Sequence, residues 1–144
     1  MLRLPDFTDH LSQICPDCKT RKHLLALSGG ADSMVLAHLF FESNLSFHAA
    51  HINYRLRGSD SEADKKTVED FCFKNKIPLH VYEVSEKDLK PENSVQLWAR
   101  ELRYRFFREV CEKENLDFIV TAHHLNDQLE TFIINLSKAS GIAV

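Results

Sequence analysis

The sequence predicts an α/β fold in which a parallel sheet lies between two layers of helices. Segments of strand length and segments with apolar residues at helical spacing alternate four times along the 144 residues. The first strand segment, 23–27, is almost continuously apolar, which is typical of a strand buried on both faces. Alternation of this kind favours parallel strands joined by right-handed crossovers. Three of the strands lead into loops rich in polar residues, at the edge where such sheets bind ligands.

Apolar periodicity and the residues at segment ends give the bounds of the predicted elements. Strands are predicted at 23–27, 46–52, 79–84 and 117–121. Helices are predicted at 32–43, from 59 or 61 to 75, at 94–114 and at 127–137. A short helix over 5–14 and a turn come first, so we expect 1–22 to be an N-terminal segment and 23–144 to form the main domain.

Composition excludes several classes of protein. A hydrophobic share of 44% and a formal net charge of -3 are ordinary for a water-soluble domain. No apolar run approaches the about 18 residues that cross a bilayer, and Asp6, Asp9 and His10 interrupt any signal-peptide pattern. We therefore expect a cytoplasmic protein with reduced cysteines and no membrane partner. Contact with RNA would need a local basic patch, because the chain as a whole is acidic.

The loop after the first strand contains two of the chain's four glycines. It reads Ser28-Gly29-Gly30-Ala31-Asp32-Ser33 and leads directly into a helix. Hydroxyls and backbone N–H groups at a helix N-terminus suit phosphate oxygens, and Asp32 is suited to hold Mg²⁺. The loop is not a Walker motif, since the Gly-Lys-[Ser/Thr] ending is absent, and it lacks the Gly-x-Gly-x-x-Gly fingerprint of dinucleotide-binding proteins.

Acidic residues follow the fourth strand. Asp127 and Glu130 are three residues apart near a predicted helix start, so they share one face. They are suited to receive a cationic amine, although carboxylates here also favour the helix dipole. The neighbouring His123 and His124 are poor candidates for a transition-metal site, because adjacent side chains point in different directions.

Basic residues border the same edge of the sheet. Arg100 and Arg103 lie on one side of the long third helix and are suited to bind phosphate or a carboxylate, unless they form a solvated face. Arg55 and Arg57 follow the second strand, where they could contact an RNA backbone.

Cys15 and Cys18 form a Cys-x-x-Cys pair in the predicted N-terminal turn. A single pair supplies two of the four ligands of a structural zinc site, and no second pair follows. Zinc binding, redox chemistry and a turn with two incidental thiols all remain open.

The loop 28–33 resembles the pyrophosphatase loop of the N-type ATP pyrophosphatases, which cut ATP between the α and β phosphates and adenylate a carbonyl. Within that group the chain resembles the tRNA(Ile)-lysidine synthetases. The stretches that carry this narrower resemblance are 51–57, 99–107 and 121–131. The resemblance implies a three-layer, Rossmann-like parallel sheet of the adenine nucleotide alpha hydrolase type. The chain is shorter than that family's members, so we expect its sheet to lack the last strand.

The resemblance also implies a reaction with two steps. ATP adenylates the C2 carbonyl oxygen of the unmodified wobble cytidine in tRNA(Ile), and the amine of free lysine then displaces AMP. Residues 28–33 would hold pyrophosphate, with Asp32 placing Mg²⁺. Asp127 and Glu130 would bind or deprotonate lysine, since an ammonium is not a nucleophile. Arg57, Arg100 and Arg103 would contact phosphates of ATP or tRNA.

The chain departs from the family pattern at two places. Asn53 and Tyr54 stand where Asp and His are frequent, and Lys138-Ala139-Ser140-Gly141 replaces an Arg-Gly-[Ser/Thr]-Gly pattern. Two alternative functions remain open. One is a tRNA thiolase of the same superfamily, which needs a cysteine at the cleft, and the other is a nucleotide-binding module without catalysis.

Overall fold

A computed structural model describes residues 20–54, 59–85, 95–124 and 132–138. The helices within these ranges are α1 (Ala31–Glu42), α2 (Ser59–Asn75) and α3 (Val95–Glu114). The strands there are β1 (His23–Ala26), β2 (Phe47–Asn53), β3 (Leu79–Glu83), β4 (Phe118–His124) and β5 (Phe132–Lys138). The three helices and the first four strands agree with the predicted elements to within a few residues. The predicted helix over 5–14 lies outside the described residues.

The strands that the structure describes form one sheet in the order β3-β2-β1-β4-β5. Strand β1 pairs in parallel with both β2 and β4, and β2 pairs in parallel with β3. The chain builds the sheet outward from β1 to β3 and then returns to the other side of β1. Strand order therefore reverses beside β1, and that reversal opens a crevice at the carboxyl ends of the strands. The predicted parallel α/β sheet is confirmed.

The predicted helix over 127–137 is wrong for its second half. Residues Phe132–Lys138 form β5, which runs antiparallel to β4 along its full length, from Phe118 opposite Lys138 to His124 opposite Phe132. Periodicity alone does not distinguish a short apolar segment of a helix from a strand. Here three consecutive aromatic or β-branched residues, Phe132, Ile133 and Ile134, favour the strand. Strand β4 is also longer than predicted and includes His123 and His124.

The core consists of two layers of apolar side chains, one on each face of the sheet. Leu25 and Leu27 contact the layer under α1 and α2, which contains Phe40 and Val68. Leu24, next to Leu25 in β1, points to the opposite layer under α3. That layer includes Ala50, Ile52, Leu102, Phe107 and Val110. Each large apolar side chain buried in this way contributes about 1.5–3 kcal/mol to stability, so both faces hold the sheet rigid beneath its loops.

Each of the three helices is followed, within two residues of its end, by a residue with positive φ. These residues are Asn44 (58°), Lys76 (56°) and Asn115 (56°). After each of them, a backbone N–H donates to a carbonyl five residues back: Leu45 to Phe40, Ile77 to Cys72 and Leu116 to Cys111. This is the pattern of a Schellman cap, which turns the chain from a helix into the next strand. None of these caps uses glycine.

Two histidines pair across β2 and β3, on the α3 face of the sheet. Nδ1 of His48 lies 3.0 Å from Nε2 of His80, and the two ring planes differ by 11°. Burial is the largest influence on both rings and lowers their pKa values. The nearby Glu114 carboxylate acts in the opposite direction, but its effect is smaller. Both rings are therefore neutral at pH 7, so that one nitrogen donates and the other accepts.

Candidate functional site

The loop between β1 and α1 is shaped by the close approach of α2. Gly29 has a φ of +90°, which side chains other than glycine rarely adopt. A Cβ atom on Gly29 would lie 2.6 Å from the carbonyl oxygen of Asp64 and 2.8 Å from its Cα atom. Gly30, in contrast, has an ordinary φ of -76° and forms the N-cap of α1. The loop thus requires glycine at its first glycine position for two independent reasons.

The hydroxyl of Ser33 holds the loop together from inside. Its Oγ accepts hydrogen bonds from the backbone N–H groups of Ser28 (3.1 Å) and Gly29 (3.2 Å). It donates to the carbonyl oxygen of Gly30 at 3.1 Å, and the side chain is buried. The sequence predicts Ser33 as a phosphate contact, and in the structure its hydroxyl bonds to backbone groups of the loop. Ser28 is exposed, but its Oγ also bonds within the loop: it accepts from the Gly30 N–H at 3.2 Å and donates to Oγ of Ser33 at 3.3 Å.

Asp32 lies in the first turn of α1, where the helix dipole favours a negative charge. It is half-buried and lines a cavity next to the loop, as does Asp64. Within the described ranges no cluster of three or more His, Cys, Asp or Glu side chains forms a complete metal site. Mg²⁺ needs no such cluster, because it usually binds one or two carboxylates together with substrate phosphates and water. The carboxylates present therefore fit Mg²⁺ bound together with a nucleotide.

The cavity has a volume of about 550 Å³ and opens at the carboxyl ends of the strands. This volume lies within the range of small-molecule sites, about 300–1,000 Å³. One wall is apolar, formed by Ala26, Ala50, Ile52 and Phe107. The loop with Asp32 also lines the cavity. An apolar surface beside a loop that can bind anions suits a ligand with an uncharged ring system and a charged tail.

The end of β2 contributes two buried polar side chains to this cavity. Nδ1 of His51 lies 2.8 Å from the carbonyl oxygen of Leu27, the residue before the loop. The Asn53 amide donates to Oε1 of Glu62 in α2 at 3.0 Å. Asp is frequent at position 53 in the resembling family, but an aspartate has no hydrogen to donate to Glu62. Sequence reasoning did not select His51, although a histidine in a strand predicted to be buried was a usable signal.

Helix α3 contributes two side chains with a shared aromatic contact. Cζ of Arg103 lies 5.4 Å from the centre of the Tyr104 ring, and both residues line the cavity. Arg100 contacts the same ring at 5.4 Å but is exposed and is not part of the lining. Within the described residues, the buried Nε of Arg103 has no hydrogen-bond partner. The structure therefore brings one member of the predicted arginine pair to the site.

Tyr54 completes this side of the cavity at the end of β2. Burial raises the pKa of its phenol, and the nearby Arg103 guanidinium acts in the opposite direction. Its hydroxyl donates to the carbonyl oxygen of Ala99 at 3.4 Å, which links the end of β2 to α3.

The remaining predicted site residues lie outside the described residues. These are Arg55, Arg57, Asp127 and Glu130, together with Cys15 and Cys18. The other two cysteines are buried in the core layers rather than in the cavity. Burial raises the pKa of Cys72 to about 11 and that of Cys111 to about 12, so neither is a thiolate at neutral pH. Neither has the properties of a catalytic nucleophile.

Comparison with protein families adds to this geometry. The profile of the PP-loop domain matches residues 4–144. The chain belongs to the PP-loop family. The segment 28–33, which the sequence predicts as the loop of this domain, is the part of the molecule that Gly29 and Ser33 shape.

Curated relatives give a narrower comparison. The chain is 44% identical over 115 residues to a tRNA(Ile)-lysidine synthase of Mycoplasmopsis pulmonis, covering 80% of this chain and 38% of the relative. It is 42% identical over 130 residues to a tRNA(Ile)-lysidine synthase of Clostridium tetani, covering 86% of this chain and 28% of the relative. The chain thus spans well under half the length of these two relatives.

Solved structures share the fold. An NH3-dependent NAD synthetase from Campylobacter jejuni superposes with a TM-score of 0.63 at 16% identity, over 81% of this chain and 53% of that one. An NMN synthetase from Francisella tularensis gives a TM-score of 0.59 at 17% identity, over 83% and 54%. These similarities support the α/β architecture of the PP-loop domain. Within the described part of the chain, no helix combines the length and apolar character needed to cross a membrane.

Proposed function

We propose that this PP-loop domain binds ATP and performs the adenylation step of a tRNA(Ile)-lysidine synthase in the cytoplasm. ATP would activate the C2 carbonyl of the unmodified wobble cytidine of tRNA(Ile) and release pyrophosphate. Lysine would then displace AMP to give lysidine. The observation that carries the proposal is the PP-loop beside a cavity of nucleotide size, in a chain 44% identical to a relative of that name.

The loop supplies the phosphate-binding groups in this proposal. Gly29 lets the chain turn against α2, and Ser33 fixes the turn, so the outward groups of 28–33 are positioned before ATP arrives. Such preorganisation lowers the cost of ordering the loop on binding. Asp32 would hold Mg²⁺, which supplies positive charge next to the phosphates when bound. The apolar wall at Ala50 and Phe107 would then receive the base.

The arginines and acids are assigned by the same proposal. Arg103, whose buried Nε has no partner within the described residues, would bind a phosphate oxygen of ATP. Arg57 and Arg100 would contact the tRNA backbone. Asp127 and Glu130 would bind lysine and accept its proton, because the amine must be neutral to attack.

Binding of ATP is tested by isothermal titration of the chain with ATP and Mg²⁺. We expect Asp32→Ala to weaken binding about tenfold or more, since a hydrogen-bonded or metal-held charge is worth about 1.5–3 kcal/mol. Asp70→Ala is the matched control, because Asp70 is exposed on α2 and pairs with Lys66 at 3.5 Å outside the cavity. Equal affinities of Asp32→Ala and the wild type would contradict the assigned role of the loop.

The reaction on tRNA is tested separately. The chain is incubated with α-³²P-labelled ATP and a tRNA(Ile) transcript that carries the wobble cytidine, and AMP is measured with and without lysine. We expect AMP release that depends on the transcript and rises with lysine. A transcript with uridine at the wobble position is the control. AMP release that is unaffected by tRNA would contradict the proposal and favour a different adenylation substrate.

A further inference from the structure

His51 is buried at the end of β2 with a fixed hydrogen-bonding pattern. Only 3% of its surface is exposed. Its Nδ1 lies 2.8 Å from the carbonyl oxygen of Leu27. A carbonyl oxygen only accepts, so Nδ1 carries the hydrogen. In the neutral ring, Nε2 then has a lone pair and acts as an acceptor.

That acceptor has no partner within the described residues. A buried acceptor left unpaired costs about 1–3 kcal/mol, so such atoms are rare unless a ligand or water binds them. His51 also lines the cavity beside the PP-loop. The unpaired atom therefore belongs to a residue of the site rather than to the closed core.

We infer that Nε2 of His51 accepts a hydrogen bond from the bound nucleotide, an inference that rests on the proposed binding of ATP. The phosphates of Mg²⁺-bound ATP carry no hydrogen at neutral pH, so its donors are the 6-amino group of adenine and the two ribose hydroxyls. A histidine held in this tautomer selects a nucleotide that presents a donor. A ligand with an acceptor at the same position, such as O6 of guanine, would place two lone pairs against each other.

The same ring also supports the PP-loop. The carbonyl that His51 holds belongs to Leu27, which immediately precedes Ser28. One side chain thus fixes the start of the phosphate-binding loop through Nδ1 and contacts the nucleoside through Nε2. The register between β1 and β2 pairs Ala26 with Ala50, and it therefore brings Nδ1 of His51 next to the carbonyl oxygen of Leu27.

Two substitutions separate these roles. In His51→Asn the amide nitrogen occupies the place of Nδ1 and can still donate to the Leu27 carbonyl oxygen. Asparagine has no atom at the position of Nε2. His51→Leu removes both. His48→Asn is the matched control, since His48 lies on the same strand but pairs with His80 and does not line the cavity.

Affinities are measured by titration with ATP, 2′-deoxy-ATP, 3′-deoxy-ATP and purine riboside triphosphate, which lacks the amino group. We expect the wild type to bind one of these analogues about tenfold more weakly than ATP, which identifies the donor. His51→Asn should bind ATP as weakly as that analogue and should no longer distinguish the two. His48→Asn should match the wild type with every nucleotide.

Other outcomes would overturn the inference in distinguishable ways. If the wild type binds all four nucleotides equally, or if His51→Asn weakens all four by the same factor, then Nε2 contacts the protein or water, and the proposed binding of ATP still holds. If the wild type binds none of them, the proposed function fails and the inference fails with it. Thermal unfolding of each variant without nucleotide separates a loss of folding, expected mainly for His51→Leu, from a loss of recognition.

Discussion

The PP-loop and the three helix ends each contain a residue with positive φ, but the loop uses glycine and the helix ends do not. Gly29 has a φ of +90°, while Asn44, Lys76 and Asn115 have values of 58°, 56° and 56°. The three helix ends are exposed, so their side chains have room. Gly29 has none, because its missing Cβ leaves the space that the Asp64 backbone occupies.

This difference shows what glycine is required for in this chain. A positive φ costs about 1–2 kcal/mol for a residue with a side chain, which a stable domain tolerates at its surface. A Cβ atom on Gly29 would lie 2.6 Å from the carbonyl oxygen of Asp64, which would force α2 to move. Close approach, more than backbone angle, therefore explains why position 29 is a glycine.

Replacing Gly29 tests the comparison most severely. We expect Gly29→Ala to lower the free energy of unfolding by about 3 kcal/mol or more, the sum of the backbone strain and the displacement of α2. Urea denaturation measures this loss, and ATP titration should show that binding is lost as well. A loss below about 1 kcal/mol would mean that α2 is free to move away from the loop.

Removing the internal support of the loop should have the next largest effect. Ser33→Ala leaves the N–H groups of Ser28 and Gly29 without their acceptor, so we expect a loss of about 1–3 kcal/mol in urea denaturation. Ser46→Ala, at an exposed serine before β2, is the control and should change stability by less than about 0.5 kcal/mol. If the two variants lose the same amount, the hydroxyl of Ser33 does not support the loop.

A glycine at a helix end should stabilise the protein slightly. Lys76→Gly relieves the strain of a positive φ and loses part of that gain to the greater freedom of the unfolded chain, for a net of about 0.5–1 kcal/mol. Thermal unfolding checks this as a small rise in Tm. Lys74→Gly, two residues earlier and still inside α2, should have the opposite sign, with a loss of about 1 kcal/mol. A fall in Tm for Lys76→Gly would show that its side chain stabilises the cap.

The smallest effect on stability is expected for Gly30→Ala, although Gly30 is the neighbour of Gly29. Gly30 has an ordinary φ, and a Cβ there would meet only the Ser28 hydroxyl, at 3.4 Å. In Gly30→Ala the poorer N-cap and the reduced freedom of the unfolded chain nearly cancel, so stability should change by less than about 0.5 kcal/mol. A loss as large as that of Gly29→Ala in the same urea assay would mean that the two glycines are equivalent and that contact with Asp64 is not decisive.

Much of the fold follows from sequence because the signals are local. The continuous apolar run at 23–27 and the periodicity of 94–114 predict β1 and α3, and Asn44 marks the end of α1 where the chain turns. Strand β5 was missed because a strand and a helix can share its apolar residues. In the structure this segment is a strand because it pairs with β4, and a local sequence pattern does not indicate such a pairing.

The candidate site is predictable in part for the same reason. The predicted PP-loop is a contiguous string, so a prediction of its location needs only the sequence. The inward hydrogen bonds of Ser33 and the tautomer of His51 depend on atoms that meet only after folding, such as the Leu27 carbonyl. Sequence spacing gives no indication of those contacts.

The hydrogen bond between His48 and His80 can report whether strand β3 is paired with the sheet. His48 and His80 belong to different strands, and β3 is the edge strand on that side of the described sheet, so their hydrogen bond exists only while β3 is docked. In ¹⁵N-labelled protein, nuclear spin coupling between the two bonded ring nitrogens would report docking of that one strand. Both pKa values lie below the ordinary 6.5, so on acidification the unfolded chain takes up protons first. As the pH falls from 6.5 through the lowered pKa values, the coupling and its share of the stability should be lost together.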